Sequence, residues 1–338
     1  MANLPQVTAE SEIEEGSAPP MSSIEITRKY LTLFGPLGMI LLLSLVMLIQ
    51  APHFFRWANL STVMVDAALF VILAVGMTFV ITAKGIDLSI GSIMVFSAVV
   101  MAAAIKDFGV PTWIAMIMCV LVGAACGAFN GILITRLGIP DFIVTLATDL
   151  IFRGLGLVYA AGAVFYRFDD LMAWFGRGRI AGLQVSIIFG LVAMVVGHVF
   201  YKHHRFGRHV HAVGGNRVAA RRLGIPVTRI RTHVYIMSGA LAGFAGIVVT
   251  GRLDAIQATQ MQLANLHTIA AVIIGGTSLF GGRGSVLGAA LGAFLLSMIT
   301  NSMVLLGFSF FWQQVAGGAV IIIAVVIYTL AEPRSGED

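Results

Sequence analysis

TVMVDAALFVILAVGMTFVITA, residues 62–83, is a predominantly apolar stretch. A helix needs about 20 such residues to cross the hydrocarbon core of a bilayer, so this run is long enough. Similar runs recur along the chain. Of its 338 residues 58% are hydrophobic and only 11% charged, with mean hydropathy +0.95. A soluble domain carries about 25% charged residues. That deficit decides the class: an integral membrane protein. Helices and closed barrels are the only spanning structures, and barrels need an alternating pattern that is missing here. The expected fold is therefore an all-α, polytopic bundle.

Working outward from residues 62–83, ten candidate spans emerge: 31–50, 62–83, 88–104, 113–135, 142–160, 184–201, 233–250, 266–276, 286–306 and 311–330. The eighth is too short to cross alone. It is either a half-helix or continues through the glycines behind it. Basic residues set the orientation. Arg28 and Lys29 precede the first span, which argues for a cytoplasmic N-terminus. Residues 201–232 hold Lys202, Arg205, Arg208, Arg217, Arg221, Arg222, Arg229 and Arg231 and no acid, so this loop too is expected inside. Six spans separate the two, and an even number returns the chain to its starting side. Four more put the C-terminus inside. Residues 1–29 are expected to form a disordered acidic tail, residues 30–332 the membrane domain and residues 333–338 a second tail. The N-terminal segment does not start basic and then turn apolar, so it does not read as a secretory signal. Residues 161–183, mixed in charge, are an outside loop by the same parity.

The formal net charge of +5 could suggest nucleic acid. In a membrane chain it reflects cations held on the cytoplasmic side, and no nucleic-acid partner is expected. Cys119 and Cys126 lie seven apart on one helix face and read as packing residues. No metal spacing is present. His203, His204, His209 and His211 sit among cations that oppose a metal ion. GGTSLFGGRGS (275–285) is glycine-rich but lacks the lysine of a phosphate-binding loop. GxSxG, HExxH and CxxC are missing too. Transport is favoured over catalysis, with any energy source on another chain.

GGNRVAARRLGIP (214–226) is the most informative polar segment. Asn216 can accept from the free N–H groups of a first helical turn. Arg217 to Leu223 supply two turns, with Arg217 and Arg221 on one face. Gly224 suits a left-handed terminus, and Pro226 prevents continuation. A short, capped, basic helix outside the membrane follows. It is either anchored on anionic lipid headgroups or docks a soluble partner.

At this point the sequence resembles the permeases of ribose-type ATP-binding-cassette sugar importers, within the branched-chain amino acid and monosaccharide permease superfamily. HRFGRHVHAVGGNRVAARRLGI (204–225) is similar to their cytoplasmic loop, and GMTFVITAKGIDLSIGS (76–92) to their most recognisable segment. FNGILI (129–134), DFIVTLAT (141–148), RGLGLVYAAG (153–162), YIMSGALAGFAGI (235–247), AAVIIGGTSLFGGRGS (270–285) and FWQQVAGG (311–318) also match, so the likeness covers about residues 60–325. Three departures stand out. Lys84 replaces a common glycine, Asp141 a proline or apolar residue, and Asn265 and His267 stand where acids are usual. The resemblance implies that Asn216, Arg217, Ala219, Ala220, Arg221, Arg222, Leu223 and Gly224 form the coupling helix on which an ATPase subunit docks. It also implies a second permease copy, a periplasmic sugar-binding protein and an inner (cytoplasmic) membrane location. ATP would be bound by the partner subunit, leaving this chain without a cofactor.

Ionisable and polar groups at membrane depth are functional candidates. Asp149 and Arg153 lie four apart and can pair along one face. Either they neutralise each other or they line a path. Asp87 and Ser89 follow Gly85 at a break between spans, where either can cap the next helix or face a cavity. Asn130 can bond a neighbouring helix or a sugar hydroxyl. With Asn265 and His267 these residues make the candidate translocation path. Gly288 and Gly292 form a GxxxG, read as helix packing. The expected function is import of a monosaccharide or polyol. The rival is an ion-coupled secondary transporter or channel working through Asp149 and Arg153.

Overall fold

The computed structural model describes residues 23–331. Most of the expected acidic tail, and all of the expected C-terminal tail, lie outside these residues. The chain runs α1 (Ser23–Gln50), a 3-10 turn at Pro52–Phe55, α2 (Trp57–Thr82), α3 (Ile90–Lys106), α4 (Thr112–Arg136) and α5 (Asp141–Ala160). Then come β1 (Phe165–Tyr166), α6 (Asp170–Arg177), β2 (Arg179–Ile180), β3 (Leu183–Gln184), α7 (Val185–His203), α8 (Arg205–Gly215) and α9 (Arg217–Arg222). The chain finishes with α10 (Val227–Leu253), β4 (Ala255–Ile256), α11 (Ala264–Ile274), α12 (Val286–Leu305) and α13 (Phe310–Ala331). Residues 23–29, read as tail from the sequence, are the first turns of α1.

Six of the described helices are long and apolar enough to cross a membrane: α2, α4, α5, α7, α10 and α12. Gly35–Gln50, α3 and α11 are shorter apolar helices. The expected count of ten spans is thus not reached on length and apolarity among the described residues. The eighth span resolves into a short helix. α11 has 11 residues, about 16 Å at 1.5 Å per residue and half the hydrocarbon thickness. It stops at Gly275, and Gly276 turns left-handed with φ +80°.

Prolines set several helix starts. Pro111, Pro140 and Pro226 immediately precede α4, α5 and α10, where a missing N–H costs nothing. α2 and α10 form the centre of the bundle. Their apolar windows are 83% and 72% buried, against 39%, 33% and 33% for α4, α5 and α7. The outer helices present Leu121, Leu150 and Val195 outward, which lipid accepts because it is as apolar as they are. Leu73, Met77, Ile90, Met94, Ala245 and Val249 fill the space between α2, α3 and α10.

Glycines let α4 and α10 touch backbone to backbone. A Cβ on Gly127 would lie 2.1 Å from the Tyr235 carbonyl oxygen, and one on Gly123 2.2 Å from that of Gly239. From the facing side, a Cβ on Gly243 would lie 2.4 Å from the Cys119 carbonyl oxygen. Cys119 and Cys126 are both buried and unbridged, consistent with packing. The GxxxG of α12 packs within the chain: Gly288 and Gly292 rest on the carbonyls of Gly275 and Ala271.

Two segments between spans carry more structure than expected, although the short helix at 217–223 was expected. Within 161–183, Asp169 caps α6 by accepting from Met172 N–H, and β2 pairs with β3 around Ala181 and Gly182, both left-handed. Two left-handed residues are what a tight hairpin turn requires. β1 pairs antiparallel with β4, Phe165 opposite Ile256. The basic segment 201–232 holds α8 and α9 besides the start of α10.

Gly127→Val should destabilise the protein by about 1–3 kcal/mol or more, because overpacking forces the two helices apart. Gly154→Ala, with open space around it, should stay within about 0.5 kcal/mol. Thermal unfolding of both variants in detergent, compared with the unaltered chain, checks the contrast.

Candidate functional site

α9 owes its shape to its two ends. Asn216 Oδ1 accepts from Val218 N–H at 3.0 Å and Ala219 N–H at 2.9 Å. At the other end Ile225 N–H donates to Ala220 O at 3.0 Å and Gly224 N–H to Arg221 O at 3.0 Å, with Gly224 at φ +78°. These two bonds make a Schellman ending, which satisfies the last carbonyls. Val218 and Leu223 are 63% and 80% exposed, next to the exposed Arg221 and Arg222. Arg217, Val218, Arg221 and Arg222 line a cavity of about 380 Å³. An exposed apolar pair flanked by cations, on a rigid capped helix, is a surface suited to a partner.

Two members of the expected docking set point inward. Ala220 is buried among Val213, Val227 and Ile230. Arg217 turns to the membrane domain and donates to Lys84 O at 2.7 Å. Burial, and then the nearby Arg231 guanidinium, pull the Arg217 pKa down from the usual arginine range, with Asp141 opposing. α8 seats the helix. A Cβ on Gly214 would lie 1.7 Å from Thr82 O, and Gly282 N–H donates to that same oxygen at 2.8 Å. The glycine-rich segment 275–285 therefore serves as a backbone seat at the end of α2. The histidines of this region serve local structure: His204 Nδ1 accepts from Phe206 N–H to cap α8, and His211 Nδ1 lies 2.7 Å from Gly207 O.

The break at residues 83–89 gathers six of the seven candidate path residues. Asp87 Oδ1 accepts from Ser89 N–H at 3.0 Å and Ser89 Oγ at 2.6 Å, and its Oδ2 from Ser238 Oγ at 3.1 Å. Asn130 Nδ2 donates to Ser89 Oγ at 2.7 Å. Asp87, Ser89, Asn130 and Ser238 are all fully buried. The expected capping of α3 takes another form: Ser89 is the cap residue but its side chain bonds no amide of the first turn, and Asp87 closes a turn onto it instead. Asn265 Nδ2 donates to Leu88 O at 2.9 Å. Arg153 Nε bonds Asp149 Oδ2 at 3.2 Å along α5, and Arg153 Nη2 donates to Gln262 O at 3.0 Å. His267 stands apart, its ring edge-on to Phe70 at 5.6 Å, because residues two apart on a helix do not share a face.

Three polar atoms of these residues are buried with no hydrogen-bond partner among the described residues: Asn130 Oδ1, Asp149 Oδ1 and Arg153 Nη1. Together they offer acceptors and a donor, the complement of a hydroxylated solute.

Sequence reasoning missed two ion-pair sites. Asp66, inside the opening run 62–83, pairs with Arg252 of α10. An aspartate inside an apolar span was signal enough. Asp141 was noticed only as a departure. It receives Arg231 Nη2 at 2.6 and 2.5 Å and Tyr235 Oη at 2.7 Å. No spacing links residues so far apart in the chain. Among the described residues, no three His, Cys, Asp or Glu side chains gather to hold a metal ion.

The family model described as branched-chain amino acid transport system, permease component, matches residues 59–325. The chain is 37% identical over 310 residues to the ribose import permease protein RbsC of Escherichia coli (strain K12), covering 89% of this chain and 96% of that protein. It is 36% identical over 275 residues to the D-allose transport system permease protein AlsC of the same strain, with 81% and 84% covered. It is also 36% identical over 299 residues to the fructose import permease protein FrcC of Rhizobium meliloti, with 85% and 83% covered. No solved structure matches the chain.

Asn216→Ala should cost about 1 kcal/mol of local stability in α9. The Val218 and Ala219 amides should then exchange with deuterium about fivefold faster, while α10 amides keep their rates. Hydrogen-exchange mass spectrometry reads both.

Proposed function

We propose a function from one premise: the chain belongs to the branched-chain amino acid transport system permease component family. It is the transmembrane permease subunit of an ATP-binding-cassette importer, and its solute is a monosaccharide. The observation that carries this reading is the match over residues 59–325, together with full-length relatives named for ribose, allose and fructose. A permease of this kind performs no covalent chemistry. It needs a polar route between helices and a handle for an energy source.

The handle is α9. No phosphate-binding loop occurs in the sequence, so ATP is bound and split on a separate ATPase subunit. That subunit docks on the exposed side of α9: Val218, Ala219, Arg221, Arg222, Leu223 and Gly224. Asn216 and the Schellman ending keep the helix rigid, so that a push moves it as one body. The route passes α4 and α5, where Asn130, Asp149 and Arg153 present unpartnered polar atoms to solute hydroxyls. Two copies of this chain work with two ATPase subunits and a periplasmic sugar-binding protein that delivers the solute. α9 faces the cytoplasm, as do both chain ends, and the short helices α3 and α11 complete the bundle. Nothing favours ion coupling through Asp149 and Arg153, since the relatives are named as permeases of sugar import or transport.

Vesicles containing this chain, its ATPase subunit and the binding protein should take up sugar only when ATP is supplied. Uptake without ATP would sink the importer reading. Arg221→Glu combined with Gly224→Val should leave membrane insertion intact and lower sugar-stimulated ATP hydrolysis and uptake at least about tenfold, as expected for a lost coupling contact. Unchanged uptake in this variant would remove α9 as the docking element. Thermal shift of the binding protein over D-ribose, D-allose and D-fructose identifies the solute.

A further inference from the structure

Asp141 sits at the N-terminus of α5, where three separate elements meet. Arg231 of α10 holds its carboxylate with one nitrogen shared between both oxygens, at 2.6 and 2.5 Å, and Tyr235 of α10 donates to Oδ2 at 2.7 Å. Arg231 is 8% exposed. The third element is the backbone of the break. Gly85 lies flush on this clasp: a Cβ there would fall 2.7 Å from Tyr235 Oη and 2.8 Å from Asp141 Oδ2. The carbonyl of Ile86 takes the longer arm of two shared hydroxyl hydrogens: Tyr235 Oη at 3.3 Å, beside its bond to Asp141 Oδ2, and Thr145 Oγ1 of α5 at 3.2 Å, beside its bond to Asp141 O at 2.9 Å.

The docking helix grips the same strip of backbone from the other side. Arg217, the first residue of α9, donates to Lys84 O at 2.7 Å. Lys84 is a non-glycine residue at φ +60°, a conformation that persists only where its surroundings impose it. Thus Lys84 O is held from α9, Gly85 abuts the clasp, Ile86 O is held from α5 and α10, and Asp87 O atoms hold Ser89 and Ser238. Four consecutive residues connect the exposed helix to the buried polar cluster. The Asp141 carboxylate also lies close to both guanidiniums, of Arg231 and of Arg217, which repel each other.

We infer that Asp141, clasped by Arg231 and Tyr235, is a latch between α5 and α10 that positions the 84–87 backbone and passes movement of α9 to the translocation path. The inference rests on the importer reading above. A bland alternative makes the ion pair a simple brace. A brace requires only α5 and α10. It does not require Gly85 to be without a side chain against it, or Arg217 to hold the neighbouring carbonyl.

The test is sugar moved per ATP split, in vesicles holding the chain with its ATPase subunit and binding protein. Asp141→Asn should lower this ratio about tenfold while ATP hydrolysis continues. Asp141→Glu, which keeps the charge, should recover most of it. Arg217→Ala keeps the Arg231 and Tyr235 bonds to Asp141 and removes the tie to Lys84 O together with a nearby positive charge, and it should lower the ratio as well; Arg217→Lys, which keeps the charge without the guanidinium fork, separates the two effects. Arg217→Ala also serves if Asp141→Asn fails to insert. A brace would reduce inserted protein, hydrolysis and uptake in parallel at an unchanged ratio, and that result overturns the latch. An unchanged ratio in Arg217→Ala overturns it equally. If the unaltered protein takes up sugar without ATP, the importer reading fails and the latch with it. Coupled uptake by the unaltered protein, with variants that keep its ratio, removes the latch alone.

Discussion

The bundle depends on the backbone contact between α4 and α10. Glycines at 123 and 127 on one helix and 239 and 243 on the other bring the two chains closer than any side chain permits. In lipid no hydrophobic gain drives helices together, so close van der Waals approach supplies much of the adhesion. The contact also sets axial register, since Gly127 must oppose Tyr235 O and Gly123 must oppose Gly239 O. Register then places everything α10 carries. Arg231 and Tyr235 arrive at Asp141, Ser238 at Asp87 and Arg252 at Asp66.

The second constraint is the break between α2 and α3. A chain that leaves helical geometry inside a bilayer exposes carbonyl and N–H groups that water cannot reach. Here side chains from distant helices satisfy them. Arg217, Tyr235, Thr145 and Asn265 take the carbonyls of Lys84, Ile86 and Leu88. Those groups come from α9, α10, α5 and α11, so four helices share in holding the break.

Much of this was legible in the residue order. The membrane class, the helical content, the capped α9 and the Asp149–Arg153 pair all follow from patterns within a few residues. Within the basic segment 201–232 the short helix α9 was expected but α8 was not, because charge obscured its helical content; α8 forms there because Val210, Val213 and Gly214 pack inward. Ala220 and Arg217 were grouped with the docking face because a run of six residues does not reveal which side is covered. His267 was grouped with Asn265 by proximity in sequence, and helix geometry separates them.

The sequence by itself determined what local physics controls. Apolar runs of sufficient length demand a bilayer, Asn216 and Gly224 bound a helix, and the ordered motifs assign the family. Only the tertiary structure decided which groups meet. Asp141 and Arg231 are 90 residues apart, and Arg217 and Lys84 are 133 apart. The reason is physical. A cap or an i,i+4 pair needs one helix turn to exist, whereas a contact between helices depends on how closely and at what register two of them pack. Those quantities are set by the glycine faces of α4 and α10 acting together, and neither helix encodes them alone.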